Sequence, residues 1–525
     1  MLLITSAAYI GSELRSELGK IPPAFLPVGN QRLYCYQRKI LQSDERIILT
    51  IPESFQVPAH DLKQIESMEI ELLKIPDDLS LSDSVICALN LSGYSEGLLT
   101  ILHGDTLVYD VPPNLTDVVA VSKVEDNYEW ATFDGNLVSE FNPYEKNAHT
   151  IQQVVNGYFR FSDTSLFIEA MQRAHGSFID GINNYSQRIT LKAYLTEGWY
   201  DFGHLHTYFR SKTHISTSRA FNLLQIHDGV VTKRSNMPNK MTAESTWFKQ
   251  LPRELRKFTP KYLGDIEQGE ELNGYQIEYQ CISSLNELLV FGDLPPFIWG
   301  KIIKVCQNFI SKCQQHPSPL NSTETFKNFL RDKTESRLKN FTAETQISLS
   351  KPWRFNNQEL PSILNIHNAS IKHVPDATQQ NVVHGDFCFS NILYDFRSQN
   401  IKVIDPRGLD SAGELSIFGF THYDIAKLAH SILGSYDFII AGYFKIERQR
   451  QTLNFTLFNE GQDKYAEQYF KKLCLEQFNL NELNLCALQI QLFLSMLPLH
   501  SDKPNRQLAL LANAMRIYKK MESLT

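Results

Sequence analysis

The run His384-Gly385-Asp386-Phe387-Cys388-Phe389-Ser390-Asn391 is a polar loop between two apolar stretches, Val382-Val383 and Ile392-Leu393-Tyr394. A third apolar run, Ile401 to Ile404, ends in Asp405-Pro406. Short apolar runs bounded by turn residues read as buried strands. Taken singly, Asp386 and Asn391 are accounted for by an Asx-turn and a helix cap. Together with Asp405 and the flanking strands, they are expected to converge on one cleft.

Composition narrows what that cleft belongs to. A chain of 525 residues is too long for one ordinary core, so two to four domains are expected. Hydrophobic residues at 42% and charged residues at 21% are those of a soluble globular protein. A net charge of −7 argues against nucleic-acid binding by bulk electrostatics. The eight cysteines are scattered, without a C-x-x-C pair or a zinc-like spacing, and read as reduced thiols. Met1 to Ile10 is apolar but lacks a basic flank, so it reads as a first strand rather than a signal peptide. No apolar run reaches transmembrane length; Ala487 to Leu499 is broken by Gln and Ser. The expected compartment is the cytoplasm, with no nucleic-acid partner, no membrane insertion, and oligomerisation left open.

Along the chain, about the first 210 residues alternate strand-like and helix-like stretches. Leu2 to Thr5, Ile47 to Ile51, Leu98 to His103 and Val118 to Ser122 are expected strands. The polar stretch Lys212 to Ser218 predicts a domain boundary. Phe221 to Glu278 predicts a small strand-rich lobe with one helix. Beyond Pro296 the pattern is helical, over Phe297 to Cys313, Ser322 to Leu338, Tyr423 to Leu433, Lys464 to Leu473 and Glu482 to Leu494. The expected domains are residues 1–212, 216–290 and 291–525.

H-G-D-x-x-x-x-N followed by a strand ending in Asp carries a defined chemistry. Phosphoryl transfer from ATP needs a carboxylate beside the acceptor hydroxyl, and an Asn and a second Asp on Mg²⁺. Asp386 fits the first role as catalytic residue, and Asn391 and Asp405 fit the metal roles. His384 reads as a brace for the loop. The same chemistry needs a strand Lys for the phosphates and a helix Glu to hold it. Lys233, in Gly229 to Ser235, and Glu244, at the start of a helix expected over Ala243 to Leu251, supply both. A solvated strand-edge Lys and a first-turn Glu favoured by the helix dipole are the alternatives. The backbone of Glu278-Tyr279-Gln280, centred on Tyr279, is expected to meet adenine. Ser216 to Asn222 would be the phosphate-covering turn. ATP and Mg²⁺ are the cofactors this reading requires.

This half of the chain, from about Ser216 onward, resembles the aminoglycoside phosphotransferase and choline kinase group of small-molecule kinases. The resemblance implies an α+β bilobal kinase-like fold and a small hydroxyl acceptor. Only a short loop follows Asp405-Pro406-Arg407-Gly408, where protein kinases carry an activation segment and A-P-E. Asp424 resembles the Asp that buttresses the catalytic loop in this group, or is an N-cap. Arg407 either binds an anionic acceptor or pairs with Asp410. Tyr436, Phe438, Tyr443 and Phe444 are expected in a helix core, with an acceptor pocket as the alternative.

The first 210 residues resemble the sugar nucleotidyltransferase family, an α/β sheet fold. The matching segments are Pro22 to Asn30, Ile101-Leu102-His103-Gly104-Asp105, Asn156-Gly157-Tyr158-Phe159, and Gly198-Trp199-Tyr200-Asp201-Phe202-Gly203. The resemblance implies that Asp105 and Asp201 are metal ligands; turn residues at strand ends are the alternative. The family's phosphate loop corresponds to Ser6 to Glu13, where Tyr9, Glu13 and Pro23 replace an expected Gly, Arg and Lys. Arg15, Lys20 or Arg32 would have to supply the missing charge. The combined expectation is an ATP-dependent small-molecule kinase acting on a hydroxyl of a sugar, amino alcohol or similar metabolite. The fused domain would couple the product to CTP or another NTP, giving an NDP-activated donor for bacterial surface (capsule) polysaccharide. The alternatives are a degenerate, non-catalytic N-terminal domain, a pseudokinase scaffold and a protein kinase.

Overall fold

The computed structural model describes the chain except residues 41–44, 125–127, 129, 136, 141–151, 216–217, 220–221, 269–270, 320–323 and 460–463. It divides into two compact units: Met1–Ser216 with Phe291–Asp293, and Thr217–Val290 with Leu294–Thr525. Among the described residues no helix is long and apolar enough to cross a membrane. All eight cysteines are free thiols.

The first unit is built on a mixed sheet. Leu2–Thr5 lies between Ile47–Pro52 and Leu99–His103, parallel to both, with Leu3 opposite Ile48 on one side and Ile101 on the other. Ile70–Ile75 extends the parallel part beyond Ile47–Pro52. Leu2–Thr5 and Ile47–Pro52 are apolar without alternation because both faces are covered, and Leu2, Leu3 and Ile4 are fully buried, whereas the edge strand Ile70–Ile75 exposes Glu71 and Lys74. Gln152–Phe161 then runs antiparallel to Leu99–His103, and Val118–Val124 pairs with it and with Lys192–Leu195. Helices Leu81–Ser92, Thr164–Arg173 and Phe178–Ser186 start at Ser80, Asp163 and Ser177, each accepting a backbone N–H of the first turn. Phe159, Phe161, Phe167 and Tyr185 join Leu3, Ile48 and Ile101 in one core. The helix Leu205–Ile215 continues into the polar stretch Lys212 to Ser218 where the domain boundary was expected, and Leu205, Tyr208 and Phe209 bury one face of it.

The second unit begins with an antiparallel five-stranded sheet in the order Ser218–Arg219, Asn222–His227, Val230–Ser235, Glu271–Glu278, Tyr262–Gln268. Its helix spans Pro238–Gln250, five residues earlier than expected, because Pro238 sits in the first turn, where its fixed φ and missing N–H cost nothing. Glu244 therefore lies in the second turn, away from the helix end, and the dipole account of it is withdrawn. Trp247 of this helix is fully buried and donates from Nε1 to the Val383 carbonyl at 2.7 Å. The strands Ile392–Asp395 and Asn400–Val403 form an antiparallel pair with Ile392 opposite Val403.

The helical part follows the expected pattern at Pro296–Gln314, Phe326–Thr345, Thr421–Ile432, Lys464–Phe478 and Glu482–Ser495. Glu482–Ser495 is capped reciprocally by Asn481 and Asn484 and is buried on every side over its last eleven residues, Gln489, Gln491 and Ser495 included. The helix Ile363–Ile371 was not anticipated, nor were two further elements. One is the helix Pro504–Glu522, the other a four-stranded sheet joining Trp353–Phe355 and Gln358–Leu360 to Phe444–Gln449 and Thr452–Leu457. Phe438 and Tyr443 are core residues, as expected, whereas Phe444 and Tyr436 are partly exposed.

Gly408 lies against the Pro238–Gln250 helix in the left-handed region, with φ +64°, and a Cβ there would collide with the Ala243 carbonyl. Gly408→Ala is expected to destabilise the second unit by about 1–3 kcal/mol, since both φ and contact oppose it. Urea unfolding of the full chain, showing an earlier midpoint, is the measurement; an unchanged midpoint would contradict the packing described.

Candidate active site

The strand Val230–Ser235 turns Lys233 inward and Arg234 outward by simple alternation; Lys233 is 3% exposed. Its ammonium lies 2.6 Å from Glu244 Oε2 and 2.9 Å from Asp405 Oδ1. Tyr275 donates its hydroxyl to the same Glu244 oxygen at 2.7 Å. Burial alone would lower the Lys233 pKa, but the carboxylates of Asp405 and Glu244 outweigh it and the pKa is raised. Lys233, Glu244 and Asp405, drawn from a strand, a helix and a loop, thus meet at one point. Asp405 itself has φ +57°, a conformation that turns the chain sharply after Asn400–Val403.

The loop 384–391 is fixed from below. Phe387 and Phe389 are buried against Phe309 and Trp299 of the Pro296–Gln314 helix, at ring distances of 4.9 and 6.1 Å. Asp424 accepts the backbone N–H of His384 and of Gly385, both at 2.8 Å, and so is a buttress, not an N-cap. Burial pushes its carboxyl up to about 7 against the pull of those two donors. His384 is completely buried; Nε2 faces the Ile404 carbonyl at 2.9 Å and Nδ1 the Asp386 N–H at 3.3 Å. These partners assign the Nε2–H tautomer, and burial lowers its pKa to about 4, so a neutral imidazole ties the loop to the strand that precedes Asp405.

Asp386 is held at the open end, with its side chain 41% exposed. Asn391 Nδ2 donates to its carbonyl at 2.9 Å and to its Oδ2 at 3.1 Å. Lys427 of the Thr421–Ile432 helix lies 2.7 Å from Oδ1. Burial would raise the Asp386 pKa; the Lys427 ammonium overrides it and holds the carboxyl well below the usual carboxylate range. Lys427 was not anticipated. Its only sequence signal is its place one turn after Asp424 on the same helix face.

Tyr279 follows the strand Glu271–Glu278, but its N–H donates to the Gly229 carbonyl at 2.7 Å. That donor is engaged in closing the sheet, so Tyr279 N–H is not the adenine contact. Of the expected phosphate-covering turn, residues 216, 217, 220 and 221 lie outside the described residues. Arg407 does not pair with the Asp410 carboxylate: it donates to the Asp410 carbonyl at 3.2 Å, while Asp410 Oδ1 accepts from Ala412 and Glu414 N–H.

In the first unit, Trp199–Asp201 pairs antiparallel with Thr106–Val108, setting Asp201 opposite Thr106. The Asp105 and Asp201 carboxylates converge on Gly203, where an added Cβ would lie 2.7 Å from Asp105 Oδ2 and 3.4 Å from Asp201 Oδ1. Burial, then the Asp201 charge, pushes Asp105 up to about 6. His204 is 3.4 Å from Asp201 Oδ2, and Thr207 also donates to that oxygen. Among the described residues no group of three or more His, Cys, Asp or Glu is arranged to hold a metal ion. Of the cations proposed to neutralise a triphosphate, Arg32 is consumed: it is 1% exposed and bonded to Asp61 at 2.7 Å. Lys20 stacks on Tyr9 at 4.1 Å.

No protein-family model matches the sequence, and no curated protein matches it. Solved structures match in two groups. A nucleoside-diphosphate-sugar pyrophosphorylase from Vibrio cholerae RC9 is 14% identical over 40% of this chain and 99% of its own, with a TM-score of 0.33. A UDP-glucose pyrophosphorylase in complex with UDP-glucose gives 14%, 41%, 97% and 0.32 in the same order. The GDP complex of aminoglycoside 2′-phosphotransferase-IIIa is 11% identical over 58% of this chain and 91% of its own, with a TM-score of 0.38. The N-terminal region is thus similar to sugar nucleotidyltransferases, and a larger stretch of the chain to an aminoglycoside phosphotransferase.

The raised Asp105 pKa has a signed consequence. In the unfolded chain the group titrates near 4 and in the fold near 6, so folding favours the protonated form. Stability is greatest below the unfolded value and falls as pH rises through about 6. Asp105→Asn, assayed with chelator present, is expected to raise Tm relative to wild type at pH 8 and to have little effect at pH 3, below the unfolded value. A pH-independent difference would contradict the assignment.

Proposed function

We propose that the second unit is an ATP-dependent phosphotransferase acting on a hydroxyl of a small molecule. The observation that carries the reading is Lys233 gripping Glu244 and Asp405 at once, with Asp386 and Asn391 hydrogen-bonded on the adjoining loop. Lys233 would meet the phosphates of ATP, with Glu244 and Tyr275 keeping the long side chain extended. Asp405 and Asn391 offer the hard oxygen donors that Mg²⁺ selects and would hold it. A bound Mg²⁺ supplies charge neutralisation of the phosphates.

The chain's own residues do the rest. Asp386 accepts the hydrogen bond of the acceptor hydroxyl and aims its oxygen at the γ-phosphorus. The new O–P bond forms as the β–γ bridging P–O bond breaks, ADP leaves, and the hydroxyl proton passes to Asp386. Because Lys427 lowers its pKa, Asp386 is a weak base. Its part is orientation first and proton acceptance late, when the oxygen has become acidic. A small acceptor suits the short segment between Asp405 and the Thr421–Ile432 helix.

For the first unit, nucleotidyl transfer onto the phosphorylated product would give an NDP-activated donor of the kind used in bacterial surface polysaccharides. A specific observation favours the second reading, a unit that binds without turnover. Arg32 is spent on Asp61, and the Glu13 charge acts on His204 beside Asp105 and Asp201. Two carboxylates and a third nearby repel a triphosphate unless cations intervene. Pyrophosphate release from CTP, UTP, GTP or dTTP with the kinase product tests this; sustained release would restore the catalytic reading.

Asp386→Asn and Asp405→Asn are each expected to lower kcat for ADP formation by about 10²–10⁴-fold. Wild-type turnover in either variant would refute the reading. Lys427→Met removes the cation that depresses Asp386. The acidic limb of its kcat/KM profile is therefore expected to move up by at least about one pH unit, toward the ordinary carboxylate value. An unmoved limb would show that Asp386 does not govern it.

A further inference from the structure

Beside the Asp386 loop lies a cavity lined in part by Phe329, Gly385, Arg407, Asp410, Ser411 and Tyr423. Its charged border is unusual. Tyr423 is 6% exposed and accepts a hydrogen bond from Lys333 Nζ at 2.6 Å. The same ammonium lies 4.4 Å from the Tyr423 ring and 5.6 Å from the Phe329 ring. Arg407 stacks 5.9 Å from the Phe329 ring, and a Cβ on Gly385 would lie 2.7 Å from the Arg407 Cβ. Lys427 approaches the other side of Tyr423 at 5.9 Å and is the cation paired with Asp386. Three cations therefore surround two aromatic rings next to the proposed catalytic carboxylate.

Only Lys427 is neutralised. Among the described residues, neither Lys333 nor Arg407 forms an ion pair with a carboxylate; their polar partners are a phenol and the Asp410 carbonyl. Asp410 lines the same cavity, but two backbone N–H groups engage its Oδ1. Burial, with Arg407 and Lys427 nearby, lowers the Lys333 pKa, and the three cations lower that of Tyr423. A guanidinium lining the cavity and a partly buried ammonium bonded to the hydroxyl of its lining Tyr423 are costly for a fold to hold without an anion. A purely structural Lys–Tyr contact would be cheaper as two apolar side chains.

Resting on the kinase reading above, we propose that Lys333 and Arg407 bind an anionic group of the acceptor. The substrate class is then a small hydroxyl compound that also carries a carboxylate or a phosphate, with its hydroxyl presented to Asp386. Both anions match the donors of a guanidinium and an ammonium. The neutral and cationic acceptors that the fold also admits are disfavoured by the same two charges.

The test uses the full-length protein and acceptor sets matched except for charge: glycerol, glycerate and glycerol 3-phosphate, and glucose, glucuronate and glucose 6-phosphate. ADP release with Mg-ATP is expected to favour an anionic member of a set over its neutral partner by at least tenfold in kcat/KM. Lys333→Gln and Arg407→Gln should each reduce that preference at least tenfold, chiefly through acceptor KM, and Lys333→Arg should keep most of it. Whether the carboxylate or the phosphate member is preferred identifies the anion. In parallel, acetate and inorganic phosphate are titrated against the protein with Mg-AMPPNP bound. Saturable thermal stabilisation by one of them is expected in wild type and not in Lys333→Gln. Equal or better turnover of the neutral members, or a wild type that neither anion stabilises, overturns the proposal. Failure of wild type to bind Mg-AMPPNP at all would instead overturn the kinase reading beneath it.

Discussion

A single ammonium organises the second unit. Lys233 is buried, and a buried ammonium is tolerated only where carboxylates approach it closely. Glu244 and Asp405 do so from different elements, which ties the five-stranded sheet and its helix to the segment that leaves the Asn400–Val403 strand. Removing either carboxylate would leave the ammonium partly unpaired in a dry site, so the three side chains persist together or not at all. Trp247, bonded to the Val383 carbonyl, fastens the same helix to the chain entering the 384–391 loop.

The loop obeys the same economy of buried polar groups. Its backbone N–H groups at His384 and Gly385 turn inward, where water cannot reach them, and Asp424 receives both. His384 closes the other side as a neutral imidazole. With the backbone satisfied from within, the Asp386 carboxylate is the part left to face outward. Position and exposure of that group are consequences of how its neighbours are bonded.

What the sequence disclosed follows from the range of each interaction. The strand Leu2–Thr5 is legible because its burial leaves an unbroken apolar run, the Asn400–Val403 strand because Ile401 and Val403 alternate inward, and the helix Glu482–Ser495 because its buried stretch is apolar but for two Gln and a Ser. Lys233, Glu244 and Asp405, grouped in sequence because one chemistry calls for those residue types, meet in the fold, as do Asp386 and Asn391. The sheet linking Trp353–Phe355 to Thr452–Leu457 is not, since its strands are short and pair across a long stretch of intervening chain. The Pro238–Gln250 helix begins before the expected Ala243 because Pro238 opens its first turn, ahead of the apolar residues that mark the buried face. Lys427, Lys333 and Phe329 were missed for another reason: each lies on an expected helix, but which face meets the site is decided by packing between distant segments.

Arg32 shows the converse, a residue whose chemistry is plain and whose availability is not. In sequence it is a free cation near the first strand; in the fold it is the inner half of an ion pair with Asp61, with Tyr34 donating to the same carboxylate. Arg407, which lines a cavity, and Lys333, bonded to the Tyr423 hydroxyl at its border, lie in the opposite condition, without a carboxylate partner among the described residues. Charge that is paired inside a core holds a fold together, whereas charge left facing a cavity selects what enters it. By that criterion the first unit has spent its best-placed arginine on structure, and the second has kept two cations for a ligand.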